Sequence, residues 1–159
     1  MERESGPAAG PAPESPWTVN LWVWTDTKPG DYTLLAGFGN ARDRSGVQRY
    51  LAVFPGGVHF WGSSVDLDGR VPLDLGRWQM LTATFDGATL RLYKDGRELA
   101  SAPARLGAAA PVARVGPPPP WSFGHRLAGK VAGFTLWSRA LPAPSIAALR
   151  ALGPPPETP

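Results

Sequence analysis

The sequence predicts an all-β chain of two antiparallel sheets, folded as a sandwich or barrel, with one short helix near its C-terminus. Three observations point there. Apolar residues recur with period two in short runs, and only one late stretch carries helical spacing. Gly, Pro and Asp-Gly signals punctuate the runs at close intervals. The 19 Gly and 19 Pro of this 159-residue chain are unevenly spread, with Pro gathered at the ends and in one internal run, so the middle can pack.

The elements follow in order. Residues 1–16 are Ala, Pro, Gly, Glu and Ser with no large apolar residue after Met1, which predicts a disordered lead-in or linker. In 17–25, Trp17, Val19, Leu21 and Val23 alternate with Thr18, Asn20, Trp22 and Trp24, a strand signature. Lys28–Asp31 is a turn, 32–39 a second strand and 40–46 a polar loop. Residues 47–54 and 58–64 flank Pro55-Gly56-Gly57 and read as a hairpin. If all three are the turn, Phe54 faces Val58, and Tyr50, Ala52, Phe54, Val58 and Phe60 form the core face. Arg49, Leu51, Val53, His59, Trp61 and Ser63 then face outward, and a slip of one residue would reverse this. Residues 65–76 are a turn-rich edge. Strands at 78–85, 88–94 and 97–102 are joined by Asp86-Gly87 and Asp95-Gly96, the dipeptide favoured where two turn residues need positive φ, and so predict a meander. A short strand at 111–116, a Pro-stiffened loop at 116–129 and a last strand at 130–141 precede the helix candidate, 141–152, with Ile146, Leu149 and Leu152 on one stripe. Residues 17–152 form the predicted domain, and 153–159 a Pro-rich tail of the kind that tethers a module to something larger.

Composition excludes several chemistries. There is no Cys, hence no disulfide, thiolate catalysis or Cys-bound metal. His59 and His125 are the two His, and Glu98 is the one Glu between the tails. No run of 18 apolar residues predicts a membrane span, and the first fifteen residues lack the basic start and apolar core of a signal peptide. The net charge is +3, rising to +6 over 17–152, where 15 basic residues meet 9 acidic ones. That balance permits an anionic partner. The Arg residues are scattered, with Arg42 and Arg44 near Arg49 as the one cluster, so nucleic acid is not the expected ligand.

Gly76–Leu99, GRWQMLTATFDGATLRLYKDGREL, resembles the central signature of laminin-G-like, concanavalin-A-like jelly-roll domains. Leu127–Leu149 is similar to the family's last strand, its Arg-Ala-Leu corner and its short helix. Thr18–Trp24 resembles an early strand with its central Trp at position 22. The resemblance spans about 17–152 and implies an antiparallel two-sheet jelly roll. It also implies a carbohydrate-binding or adhesive module, outside the cell or at its surface, as part of a larger protein. Many relatives carry calcium; where they commonly have an acidic pair, this chain has Val131-Ala132-Gly133.

Catalysis on a related glucanase pattern needs two carboxylates on one strand. Glu98 has no second Glu near it, and no Gly-x-Ser-x-Gly elbow occurs, so no enzyme is expected. Asp66 and Asp68 share a face. They read either as turn residues before Gly69 or as oxygen ligands for calcium. Seven Trp exceed what one small core requires. Trp78, Trp137, Trp22 and Trp17 read as structural. Trp24, Trp61 and Trp121 are the candidates for stacking on a sugar ring, with Arg49 and His59 as hydrogen-bonding partners. Trp121 follows four Pro on a loop with Phe123 and His125. The expected function is non-catalytic binding of a polysaccharide or oligosaccharide, beside a neighbouring catalytic domain. The alternative is a protein-interaction or structural module whose Trp residues are buried or lie at an interface.

Overall fold

The computed structural model describes residues 15–41 and 46–157. Most of the expected lead-in (1–14), the Arg42/Arg44 cluster and the last two residues of the tail lie outside them. Ten strands follow in order: β1 (Trp17–Thr25), β2 (Thr33–Gly39), β3 (Gln48–Phe54), β4 (Gly57–Trp61), β5 (Leu67–Asp68), β6 (Gln79–Phe85), β7 (Thr89–Lys94), β8 (Arg97–Pro103), β9 (Ala113–Val115) and β10 (Gly129–Trp137). One helix, α1 (Ala143–Leu152), ends the domain. The strands form two antiparallel five-stranded sheets, β10-β1-β6-β7-β8 and β5-β4-β3-β2-β9. This is the expected all-β sandwich.

The period-two pattern turns one face of each sheet inward. Val19, Leu21 and Val23 of β1, Leu81, Ala83 and Phe85 of β6 and Leu90 and Leu92 of β7 meet Phe38, Leu51, Val53, Val58 and Phe60 of the second sheet. Trp17 closes one end of this core, stacked on Phe60 with centroids 5.5 Å apart and edge-on to Phe38 at 5.9 Å. Both outer faces are also partly covered. On the first sheet, α1 lays Ile146 and Leu149 over Trp22, Met80 and Tyr93, with Trp78 and Trp137 at the margin. On the second, the segment between β9 and β10 brings Phe123 over Leu34, Tyr50 and Ala52.

The meander β6-β7-β8 forms as expected, but its two Asp-Gly turns differ. At Asp95-Gly96 both residues take positive φ, 51° and 78°, as a two-residue turn requires. At Asp86-Gly87 only the glycine does, and the Asp86 carboxylate accepts the Ala88 and Thr89 N–H groups at 2.9 and 2.7 Å. That side-chain turn takes the place of the expected two-residue hairpin turn.

The β3–β4 hairpin corrects the expected register. Phe54 pairs with Gly57, not Val58, because Gly57 joins the strand and the turn shortens to Pro55-Gly56. Gly57 accepts this position at φ 110°, where a Cβ would lie 2.2 Å from the Val71 carbonyl oxygen. The one-residue change reverses the whole of β3. Leu51 and Val53 point into the core, while Tyr50, Ala52 and Phe54 belong to the outer cluster. Arg49 turns inward with Leu51 and is 2% exposed.

Candidate functional site: the outer face of the second sheet

Strand register builds this face as two rows. One runs Trp61–Tyr50–Gly37–Arg114 across β4, β3, β2 and β9. The other runs Asp68–His59–Ala52–Leu34 across β5, β4, β3 and β2. Strands stand about 4.8 Å apart, so each row of four spans roughly 14 Å. Gly37 stands between Tyr50 and Arg114 in the row, and a Cβ there would lie 2.0 Å from the Arg49 carbonyl oxygen.

Aromatic side chains dominate one end. Phe54 lies 5.5 Å from Trp61 and 4.9 Å from Tyr32, and Phe123 packs 5.2 Å from Trp61 and 5.5 Å from Tyr32. Tyr32 is 43% exposed and holds φ 64°, a left-handed value that a side-chain-bearing residue takes at a cost. The His59 ring stacks parallel on Phe54 at 4.0 Å. Its Nε2 faces the Asp66 carboxylate at 3.5 Å and its Nδ1 the Asp68 carboxylate at 4.0 Å. Both carboxylates also serve the local backbone: Asp66 accepts the Gly62 N–H at 3.1 Å and Asp68 the Arg70 N–H at 3.0 Å. No group of three or more His, Cys, Asp or Glu assembles for a metal among the described residues.

The segment from Gly116 to Ala128 crosses the face and is tied to it. Gln48 joins its two Trp residues: Trp61 Nε1 donates to Gln48 Oε1 at 2.5 Å, and Gln48 Nε2 donates to the Trp121 carbonyl at 2.9 Å. The Trp121 ring lies over the Arg114 guanidinium, 3.8 Å from ring centre to Cζ. His125 Nδ1 contacts the Asp31 carbonyl, which fastens the segment beside Tyr32. Tyr50 is 0% exposed beneath this cover. Burial pushes its phenol pKa up, and the charge of Arg114 beside it pulls the other way.

The structure thus brings Trp61, Trp121, His59, Asp66 and Asp68 to one face. Arg49 is not there. Its guanidinium lies on the core side, where it donates to the Gly107 carbonyl at 2.6 Å and to the Gly46 carbonyl, and burial lowers its pKa to about 10. It stitches two loops together in place of meeting Trp61. Trp24 lies on the first sheet, half-buried, with the Lys130 ammonium 5.2 Å above its ring. Tyr32, Phe54, Gln48, Arg114 and Phe123 were not among the expected site residues. Phe54 was misplaced by the register, and Arg114 sits in a three-residue strand whose partner no local pattern reveals.

A two-sheet antiparallel sandwich is an architecture that lectin domains share with other proteins. The chain belongs to the concanavalin A-like lectin/glucanases superfamily, whose family model matches residues 6–147. No curated protein matches it. Among solved structures, it is similar to domain 4 of AbnA, an extracellular arabinanase of Geobacillus stearothermophilus, solved with arabinotriose. That match has 21% identity and TM-score 0.60, and covers 88% of this chain and 68% of that one. A candidate carbohydrate-binding protein from Bacteroides ovatus matches at 16% identity and TM-score 0.64, over 84% of this chain and 40% of that one. The binding domain of Paraclostridial Mosquitocidal Protein 1 matches at 14% identity and TM-score 0.61, over 86% and 37%. The chain therefore spans well under half the length of the last two. At these identities the likeness is one of fold.

Proposed function

We propose that this domain is a non-catalytic carbohydrate-binding module whose glycan lies on the outer face of the second sheet. The carrying observation is the convergence there of Trp61, Trp121, Phe54 and Tyr32 with His59, Gln48 and two carboxylates. Flat aromatic rings accept the apolar C–H face of a pyranose, while the polar side chains meet its hydroxyls. The solved relatives whose names record a sugar complex or carbohydrate binding support this reading. So does the absence of a paired-carboxylate run for hydrolysis. In this reading the module works outside the cell and holds a neighbouring domain against a polysaccharide.

A glycan array followed by calorimetry tests the proposal. Trp61→Ala and Trp121→Ala each weaken the bound glycan by tenfold or more, whereas Trp24→Ala, on the other sheet, leaves affinity within twofold. Binding that depends on Trp24 and ignores Trp61 would move the site to the first sheet. Silence across the array would turn the assignment toward a protein partner.

A further inference from the structure

We infer that Arg114, held by Trp121 beside the buried Tyr50 hydroxyl, is a receptor for the carboxylate of an acidic sugar. The inference rests on the carbohydrate-binding reading above and names its ligand class.

Arg114 occupies the β9 end of the face, with β2, β3 and β4 between it and Asp68 on β5. It forms no ion pair among the described residues, although other Arg side chains of this chain do, such as Arg77 with Asp74 and Asp95 and Arg91 with Glu98. Its Nη1 is buried and finds no acceptor. The Tyr50 hydroxyl, also buried, is the neighbour it interacts with, and neither atom has a partner at full hydrogen-bond geometry. A buried polar group left without a partner is costly, and a charged one more so. Yet the surroundings hold the guanidinium in place. Trp121 takes its flat face at 3.8 Å, and the Trp121 carbonyl is itself fixed by Gln48. Stacking occupies one face of the guanidinium, so a ligand carboxylate would engage its N–H edge, of which Nη1 is buried. That edge is a planar fork which matches a carboxylate through two parallel hydrogen bonds. Tyr50 adds a hydroxyl able to donate to the same anion. Gly37, the neighbour of both in the row, places no side chain between them. The aromatic rings further along the row would receive the rest of the sugar chain, so the acidic residue is placed at the β9 end.

The test uses calorimetry on the whole chain with a panel of oligouronates (galacturonate, glucuronate and alginate oligomers), each beside its methyl ester. The ester keeps the ring and hydroxyls and removes the charge. At least one free acid is expected to bind tenfold or more tightly than its ester. Arg114→Gln abolishes that preference. Arg97→Gln, which removes the same charge from an exposed position on the first sheet, preserves it. Arg114→Lys keeps the charge without the fork and lowers affinity for the acid by about tenfold; it decides the matter if Arg114→Gln loses native tryptophan fluorescence. A preference that survives in Arg114→Gln, or that falls equally in Arg97→Gln, overturns the inference by showing general charge attraction. Glycans bound without any preference for the acid overturn it while leaving the carbohydrate reading intact. No binding by any acid, ester or neutral glycan overturns both.

Discussion

Asp95 offers a quantitative test of how the first sheet is joined to its helix. It sits in the left-handed region at φ 51°, within the two-residue turn between β7 and β8. Its Oδ1 accepts the Met80 N–H at 2.9 Å, its Oδ2 meets the Arg77 guanidinium at 2.6 Å, and Arg150 of α1 approaches at 3.2 Å. One side chain therefore ties the turn, the start of β6 and the helix. Both Arg partners are more than 40% exposed, so their ion pairs are discounted to a few tenths of a kcal/mol each. The Met80 bond, to a charged and half-buried acceptor, is worth about 1.5–2 kcal/mol. A residue without Asp's or Asn's local hydrogen bonding costs about 1 kcal/mol more at positive φ. Asp95→Asn keeps the φ preference and an acceptor for Met80 but loses both ion pairs, for about 1 kcal/mol. Asp95→Gly loses the side-chain bonds and relieves the backbone, for about 2 kcal/mol. Asp95→Ala loses the bonds and adds strain, for about 3 kcal/mol. In a chain of this size each kcal/mol moves Tm by about 2–4 °C. Thermal unfolding of the three variants should rank them Asn, Gly, Ala in rising cost. If Asn costs as much as Ala, the charge and not the backbone bond dominates, and the reasoning fails. If Gly and Ala are equal, the turn carries no φ demand.

Further outcomes follow from the same structure. Gly37→Ala places a methyl group against the Arg49 carbonyl and should destabilise the domain by about 3 kcal/mol or more as β2 and β3 are forced apart, measurable by urea unfolding. Trp17→Ala removes a ring packed on Phe38, Phe60 and Phe85 and should cost about 3–5 kcal/mol. Acid should destabilise the domain below about pH 4. Burial raises the Asp95 pKa, but Arg77, the Met80 N–H and Arg150 outweigh it and hold the net value below the ordinary carboxylate range; the N–H groups of Thr89 and Ala88 do the same for Asp86. Depressed carboxylate pKa values give stability that is present above the unfolded value of 3.8 and is lost as pH falls through the folded value, so urea midpoints should drop steadily below about pH 4 and much less in Asp95→Asn.

Much of the fold was legible because its signals are local. Alternation in 17–25 marks β1 and its inward face, and Asp95-Gly96 marks a turn whose backbone demand the dipeptide meets directly. The helix at 143–152 follows from one stripe and from the Pro that opens it. The hairpin at 48–61 was less legible. Pro55-Gly56-Gly57 admits a turn of two or three residues, and the choice depends on whether Gly57 can join a ladder beside Val71. That is a contact with residues fourteen positions away, which no local pattern contains. Arg49 was misassigned for this reason, and Phe54 with it.

The sequence by itself determined the class: two sheets of short alternating strands, a Trp-rich composition, and no Cys or paired catalytic carboxylates. It also marked Trp61 and Trp121 as separate candidates. Only the tertiary structure decided that they belong together, because Gln48 links them across a segment more than sixty residues away in the chain. It also placed Arg114 under Trp121 and Trp24 on the opposite sheet. Strand formation depends on the near neighbours of each residue. The membership of a face depends on register and on which segment crosses it, and both are set by contacts between distant parts of the chain.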